Sequence, residues 1–122
     1  MSHEISLDKA IEMTTRYRDL NNKILKEEYQ GRNILPRSET FDRDALDRIL
    51  AQDRCRKVRI YYGMDDRDLV HAVIVGVDAE DRDILPLRAD AARLSMGDDE
   101  GQIAEDSTRC PDTCPPESPL NP

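Results

Sequence analysis

Between Val58 and Val77 the chain carries two strand-like runs joined at Asp65-Asp66-Arg67-Asp68, and this stretch limits the possible folds more than any other. In the first run Val58, Ile60, Tyr62 and Met64 alternate with Lys57, Arg59 and Tyr61, the period-two pattern of a strand with one buried face. The second run, Leu69 to Val77, is nearly all apolar. With Asp65 facing Asp68 across the turn, Met64 falls opposite Leu69, Tyr62 opposite His71, Ile60 opposite Val73 and Val58 opposite Val75. That register predicts a core face containing all eight, with Val73 fully buried. Val70, Ala72 and Ile74 then lie on the second face, beside Tyr61 and flanked by Lys57 and Arg59. A one-residue slip would send that whole core-face set to solvent, so the pattern alone is expected to specify the register.

The rest of the chain offers little core material. Of 122 residues, 38% are hydrophobic and 36% charged, with no Trp and one Phe. No run approaches the ~18 apolar residues of a membrane span. Residues 1–9 lack a basic-then-apolar signal region, so a cytoplasmic protein is expected. The net charge of −8 is uneven. Residues 1–77 hold 14 basic and 14 acidic side chains, whereas 78–106 hold 3 and 10. An acidic C-terminal third repels nucleic acid and anionic membrane, so neither is expected as a partner.

Ser6 is placed as the N-cap of a helix whose stripe Ala10, Met13, Tyr17, Leu20 and Ile24 recurs at spacings of three and four, over roughly five turns. The stripe is narrow enough to need one partner surface, either the hairpin or a second copy of the helix. Gly31, Asn33 and Pro36 mark a linker that Ile34 and Leu35 anchor. A second helix of about ten residues starts near Asp42, with Ala45, Leu46, Ile49 and Leu50 on its apolar face. A third strand at Ile84–Leu87 would support the hairpin, and Pro86 confines it to an edge. Ala89–Met96 has helix-compatible chemistry. The expected class is α+β: a long N-terminal amphipathic helix, a short second helix and an antiparallel hairpin with a third edge strand. Residues 1–88 form one domain, and 89–122 form an acidic, Pro-rich, largely extended segment.

Candidate chemistry is sparse. Cys110 and Cys114, in a Cys-Pro-x-x-Cys-Pro arrangement, suit inert thiols, a disulfide or redox pair, or two ligands of a metal ion. A structural zinc site needs four ligands, and only Cys55, His71 and His3 remain, so no metal or cofactor is expected. His71 reads as a hydrogen-bonded structural histidine, and Cys55 as a small core residue. Asp78 to Asp83 fails as a calcium loop, because Asp83 stands where the turn needs Gly and Ala89 where it needs Glu. It reads as a solvated turn. Arg54, Arg56, Lys57 and Arg59 form one basic cluster, which either holds an anion or neutralises the protein's own acidic segment. The second use is preferred. No arrangement of a nucleophile with a base stands out, so the chain reads as non-enzymatic.

These segments also resemble a family of small bacterial proteins of unknown function. The likeness is carried by Ile34-Leu35-Pro36, Glu39-Thr40-Phe41, Ile49-Leu50-Ala51-Gln52, Val58 through Met64 with its Tyr-Tyr-Gly, Gly76-Val77-Asp78-Ala79 and the Cys110-Pro111 to Cys114 tail. Arg54-Cys55-Arg56-Lys57 departs from the Gly-Cys turn of that pattern. The resemblance implies a self-contained fold and brings no activity, ligand or site residue with it. The functional expectation is a small cytoplasmic, non-catalytic module that self-associates as a homodimer through Arg59, Tyr61, Val70, Ala72 and Ile74, with a further protein partner compatible with the same surface. The alternative is a thiol-redox or metal-binding protein using Cys110 and Cys114.

Overall fold

The computed structural model, which describes residues 3–86 and 103–122, has an α+β fold. Helices α1 (Leu7–Leu20) and α2 (Arg43–Leu50) accompany strands β1 (Ser38–Thr40), β2 (Lys57–Met64), β3 (Val70–Val77), β4 (Asp83–Ile84), β5 (Ile103–Ala104) and β6 (Thr108–Cys110). Strands β2 and β3 form the expected antiparallel hairpin. On the far side of β3, β4 and β5 pair with successive stretches of it, while β1 and β6 make a separate two-stranded ladder. The third strand, expected at Ile84–Leu87, lies instead at residues 83–84, on an edge, and Leu85 and Pro86 are outside it. The helix expected at Ala89–Met96 lies outside the described residues.

The hairpin turn differs from the sequence expectation by one residue. Asp65 pairs with Leu69, not Asp68: its N–H donates to the Leu69 carbonyl at 3.0 Å, and Asp68 N–H donates back to the Asp65 carbonyl at 3.0 Å. Asp68 has φ of 68°. This is the three-residue loop in which a tight turn is followed by a left-handed residue, a conformation that Asp tolerates without Gly. The register becomes Met64–Val70, Tyr62–Ala72, Ile60–Ile74 and Val58–Gly76. Of the expected core face, Val75 is buried at 2% exposure, but the β2 half, Val58, Ile60, Tyr62 and Met64, is exposed and that part of the expectation is overturned. Val73 stands opposite Tyr61 and is only half-buried, whereas Ile74 is buried at 7% exposure.

The core lies where α2 crosses β3 and β5. Ile49, fully buried, meets Ile74 and Ala104, with Phe41, Ala45, Leu46 and Cys55 around them. The chain runs close here: a Cβ on Gly76 would come within 3.0 Å of both Cys55 Sγ and Gln52 Nε2. Helix α2 begins at Asp42 as expected, but it spans only 8 residues. It lies against both β2 and β3 but is too short to cover the β2 row, and Val58, Ile60, Tyr62 and Met64 are 48%, 49%, 78% and 62% exposed. Leu50, expected on the apolar face, is 56% exposed. Helix α1 starts at Ser6, whose Oγ accepts the Lys9 N–H at 3.0 Å. It spans 14 residues, and none of them is buried.

Residues 103–122 do not trail the domain as extended chain. Ala104 and Cys110 are among its most buried residues, at 5% and 0% exposure, and β6 pairs along all of β1. Arg109 binds the carbonyls of Asn33, Ile34 and Val70 through one guanidinium nitrogen. Arg18 donates to the Leu120 carbonyl at 2.9 Å, which returns the chain to α1.

Two outcomes follow from this packing. Ile74→Ala should cost about 2–5 kcal/mol and Ile60→Ala less than about 1.5, because only the first opens a cavity. Equal costs in denaturant titrations would contradict the observed register. Truncation after Leu87 should abolish the cooperative thermal transition, since it removes β5, β6 and the Arg109 bonds. A truncated chain that melts like the full one would show the C-terminal strands to be dispensable.

Candidate functional site

Several exposed apolar residues meet at one groove. This groove, of about 790 Å³, lies between α1 and the sheet, with Met13, Tyr17, Leu35, Pro36, Tyr62 and Val70 on its walls and Arg37, Ser38 and Glu39 along its β1 end. Tyr17 closes one side by donating its hydroxyl to the Pro36 carbonyl at 2.7 Å, and partial burial raises its pKa above the ordinary phenol value. A shallower depression continues along α1 past Leu20 to Ile24. Met13 and Ile24 are 55% and 72% exposed, so the stripe read from the sequence overhangs the groove without a closed partner surface. Tyr62 joins the groove to the row Val58, Ile60, Tyr62 and Met64 on β2.

The edge of β2 is also unpaired among the described residues, because β2 ends the strand order β2-β3-β4. Which backbone groups it presents follows from the turn. The Asp65 N–H bond to Leu69 fixes the odd-numbered β2 residues as those bonded to β3, and alternation turns the N–H and C=O of Val58, Ile60, Tyr62 and Met64 outward. The far edge of β3 is in phase with this. There the even-numbered Val70 and Ala72 donate outward, to the Ile34 carbonyl at 2.8 Å and to Glu39 Oε2 at 2.8 Å.

The five residues expected to form one interaction surface are split by the corrected register. Ile74 is core, while Ala72 and Val70 are half-buried beside Glu39 and the groove. Arg59 and Tyr61 lie on the opposite face, in a cluster of internal ion pairs. Arg59 reaches Asp83 at 2.6 Å and Asp81 at 2.8 Å, Lys57 reaches Asp81 at 2.9 Å, and the Tyr61 hydroxyl donates to Asp83. Asp83 raises the pKa of both Arg59 and Tyr61, and Lys57 lowers that of Asp81. Arg54 lies 4.0 Å from Asp78. Three members of the basic cluster thus pair with the protein's own acids, as preferred from sequence, while Arg56 donates to the backbone carbonyls of Asp53 and Cys55. Asp78 itself is buried, and its carboxylate accepts the Glu80 and Arg82 N–H groups. The turn itself, residues 79–82, is exposed as expected, and the buried Asp78 anchors it from within.

Two other groupings come together. Cys110 and Cys114 form a disulfide with Cα atoms 4.4 Å apart, Cys110 buried and Cys114 exposed, while Cys55 is a free, half-buried thiol. His71 binds Asp65 through Nε2 at 2.7 Å, and its Nδ1 lies 3.4 Å from Glu105 and 3.7 Å from Glu39, which also accepts the Ser107 hydroxyl. Among the described residues no cluster of His, Cys, Asp or Glu is arranged to hold a metal ion, and no helix is long and apolar enough to cross a membrane. The surface residues that sequence reasoning missed are Val58, Ile60, Tyr62 and Met64. Their apolar alternation was visible, but alternation does not say whether a row faces inward or outward.

Comparison with known protein families, with curated proteins and with solved structures returns no match for this chain.

The His71 grouping yields a pH dependence of known sign. The Asp65 carboxyl is lowered from 3.8 to about 2, mainly by the Leu69 N–H, then by His71 and the Arg67 N–H. A depressed carboxylate stabilises the fold fully above its unfolded value and loses that contribution as pH falls through the folded one, here between about pH 4 and about pH 2. Asp65→Asn should therefore flatten the fall in urea midpoint across this window. An unchanged fall would remove Asp65 as a contributor.

Proposed function

We propose that this chain is a small non-catalytic interaction module of the cytoplasm that self-associates through an exposed apolar surface. The observation that carries the reading is the continuity of that surface, from Ile24 just beyond α1 and Tyr17 and Met13 on it, across the groove to Tyr62 and the β2 row. From the fractional exposures, these side chains offer roughly 750 Å² of apolar surface, close to what each partner contributes to a stable interface. Burying half of it would contribute on the order of 9 kcal/mol per subunit before association costs are subtracted. The experiment is light scattering across a concentration series. Wild type is expected to form a dimer, and Tyr62→Lys should shift it at least about tenfold toward monomer by placing a charge at the joint between groove and row. A wild-type mass that stays monomeric at every concentration would refute the reading.

A second reading is supported by the paired sulfurs. Disulfides in reducing compartments are usually transient and redox-active, and Cys114 presents an exposed sulfur beside the buried Cys110. Thiol titration under a graded glutathione buffer separates a redox pair, which changes state within the cellular range, from a fixed link, which does not.

A further inference from the structure

We infer that two copies of the chain join along their β2 edges, antiparallel and with one defined register, to make a sheet continuous across both subunits. The inference rests on the self-association proposed above and goes further by naming the contact.

Among the described residues no strand, helix or loop is paired with the β2 edge, and several features that block such pairing are missing from it. Strand β2 is eight residues long, and it contains no Pro and no inward charge. Its charged residues Lys57 and Arg59 stand on the face away from the apolar row, tied to Asp81 and Asp83. The backbone phase then selects the register. Only the even-numbered residues present outward N–H and C=O groups, so even must pair with even across a twofold axis. Two registers centre on the strand. With the axis at Ile60, Met64 faces Arg56 of the other copy. With the axis at Tyr61, Ile60 faces Tyr62 and Val58 faces Met64, each pair occurring twice, so the apolar row closes entirely on itself. On the other face this second register sets Lys57 opposite Asp65, charges of opposite sign, and Arg59 opposite Gly63. The surface is self-complementary only there, which is why the occupant is a second copy and not an unrelated strand.

The test uses single cysteines in the Cys55→Ser chain, with the Cys110–Cys114 pair left in place. Tyr61→Cys puts two sulfurs at the axis, at a non-hydrogen-bonded pair with Cα atoms about 4.5 Å apart. Arg59→Cys and Gly63→Cys place theirs roughly 13 Å apart. Gly63 accepts a side chain, since a Cβ there meets only ordinary contacts at 3.6 Å or more. Under mild oxidation Tyr61→Cys should form covalent dimers at least about tenfold faster than the other two, the latter being beyond disulfide reach. Ile60→Pro, which removes an outward N–H and leaves the ladder to β3 intact, should weaken the dimer more than Ile60→Ala. A wild type that dimerises while Tyr61→Cys crosslinks no faster than its neighbours overturns the edge contact and leaves self-association standing. A wild type that stays monomeric overturns both.

Discussion

The far edge of β3 must be satisfied, and the rest of the chain is arranged to do so. A buried strand cannot leave its outward N–H and C=O groups without partners. On that far edge, among the described residues, no single strand runs the length of β3. Val70 is met by the Ile34 carbonyl and by Arg109, Ala72 by the Glu39 carboxylate, Ile74 by β5 and Gly76 by β4. Segments from both sides of the hairpin in sequence therefore converge on one line of hydrogen-bonding groups. The core around Ile49 sits over that line, where β3 has strand neighbours on both edges.

Charge does structural work that apolar mass does elsewhere. With few aromatics, the chain closes its turns by turning carboxylates onto backbone N–H groups: Asp65 onto Arg67 and Leu69, Asp78 onto Glu80 and Arg82. Left-handed Asp68 and Asp81 take positions that Gly commonly fills. The acidic excess after residue 77 is partly spent on Lys57 and Arg59, which leaves that face of β2 electrically quiet.

Features governed by neighbours in sequence were legible before the structure. Ser6 and Asp42 as helix starts, the hairpin, and a short strand containing Ile84 all depend on residues within a few positions of one another. The register was not legible, because Asp65-Asp66-Arg67-Asp68 suits a two-residue or a three-residue loop, and only the Asp65–Leu69 bond separates them. Strands β5 and β6, of two and three residues, have no periodicity to detect and exist through contacts made far away in sequence. The candidate surface was half legible. The α1 stripe was read as needing a partner, whereas Val58 to Met64 was assigned inward because the shortness of α2 cannot be weighed without knowing where it lands.

The two-sided edge of β3 has a consequence in time. Residues 70–77 leave the ribosome well before 103–110, and at about 5–20 residues per second the interval is seconds long. During it the hairpin can form, and Ile34 and Glu39 can take their places, but the positions destined for β5 have nothing to bond. A nascent chain thus holds Ile74 beside an open edge until its own C-terminal strands emerge, so its fidelity depends on how quickly synthesis is completed.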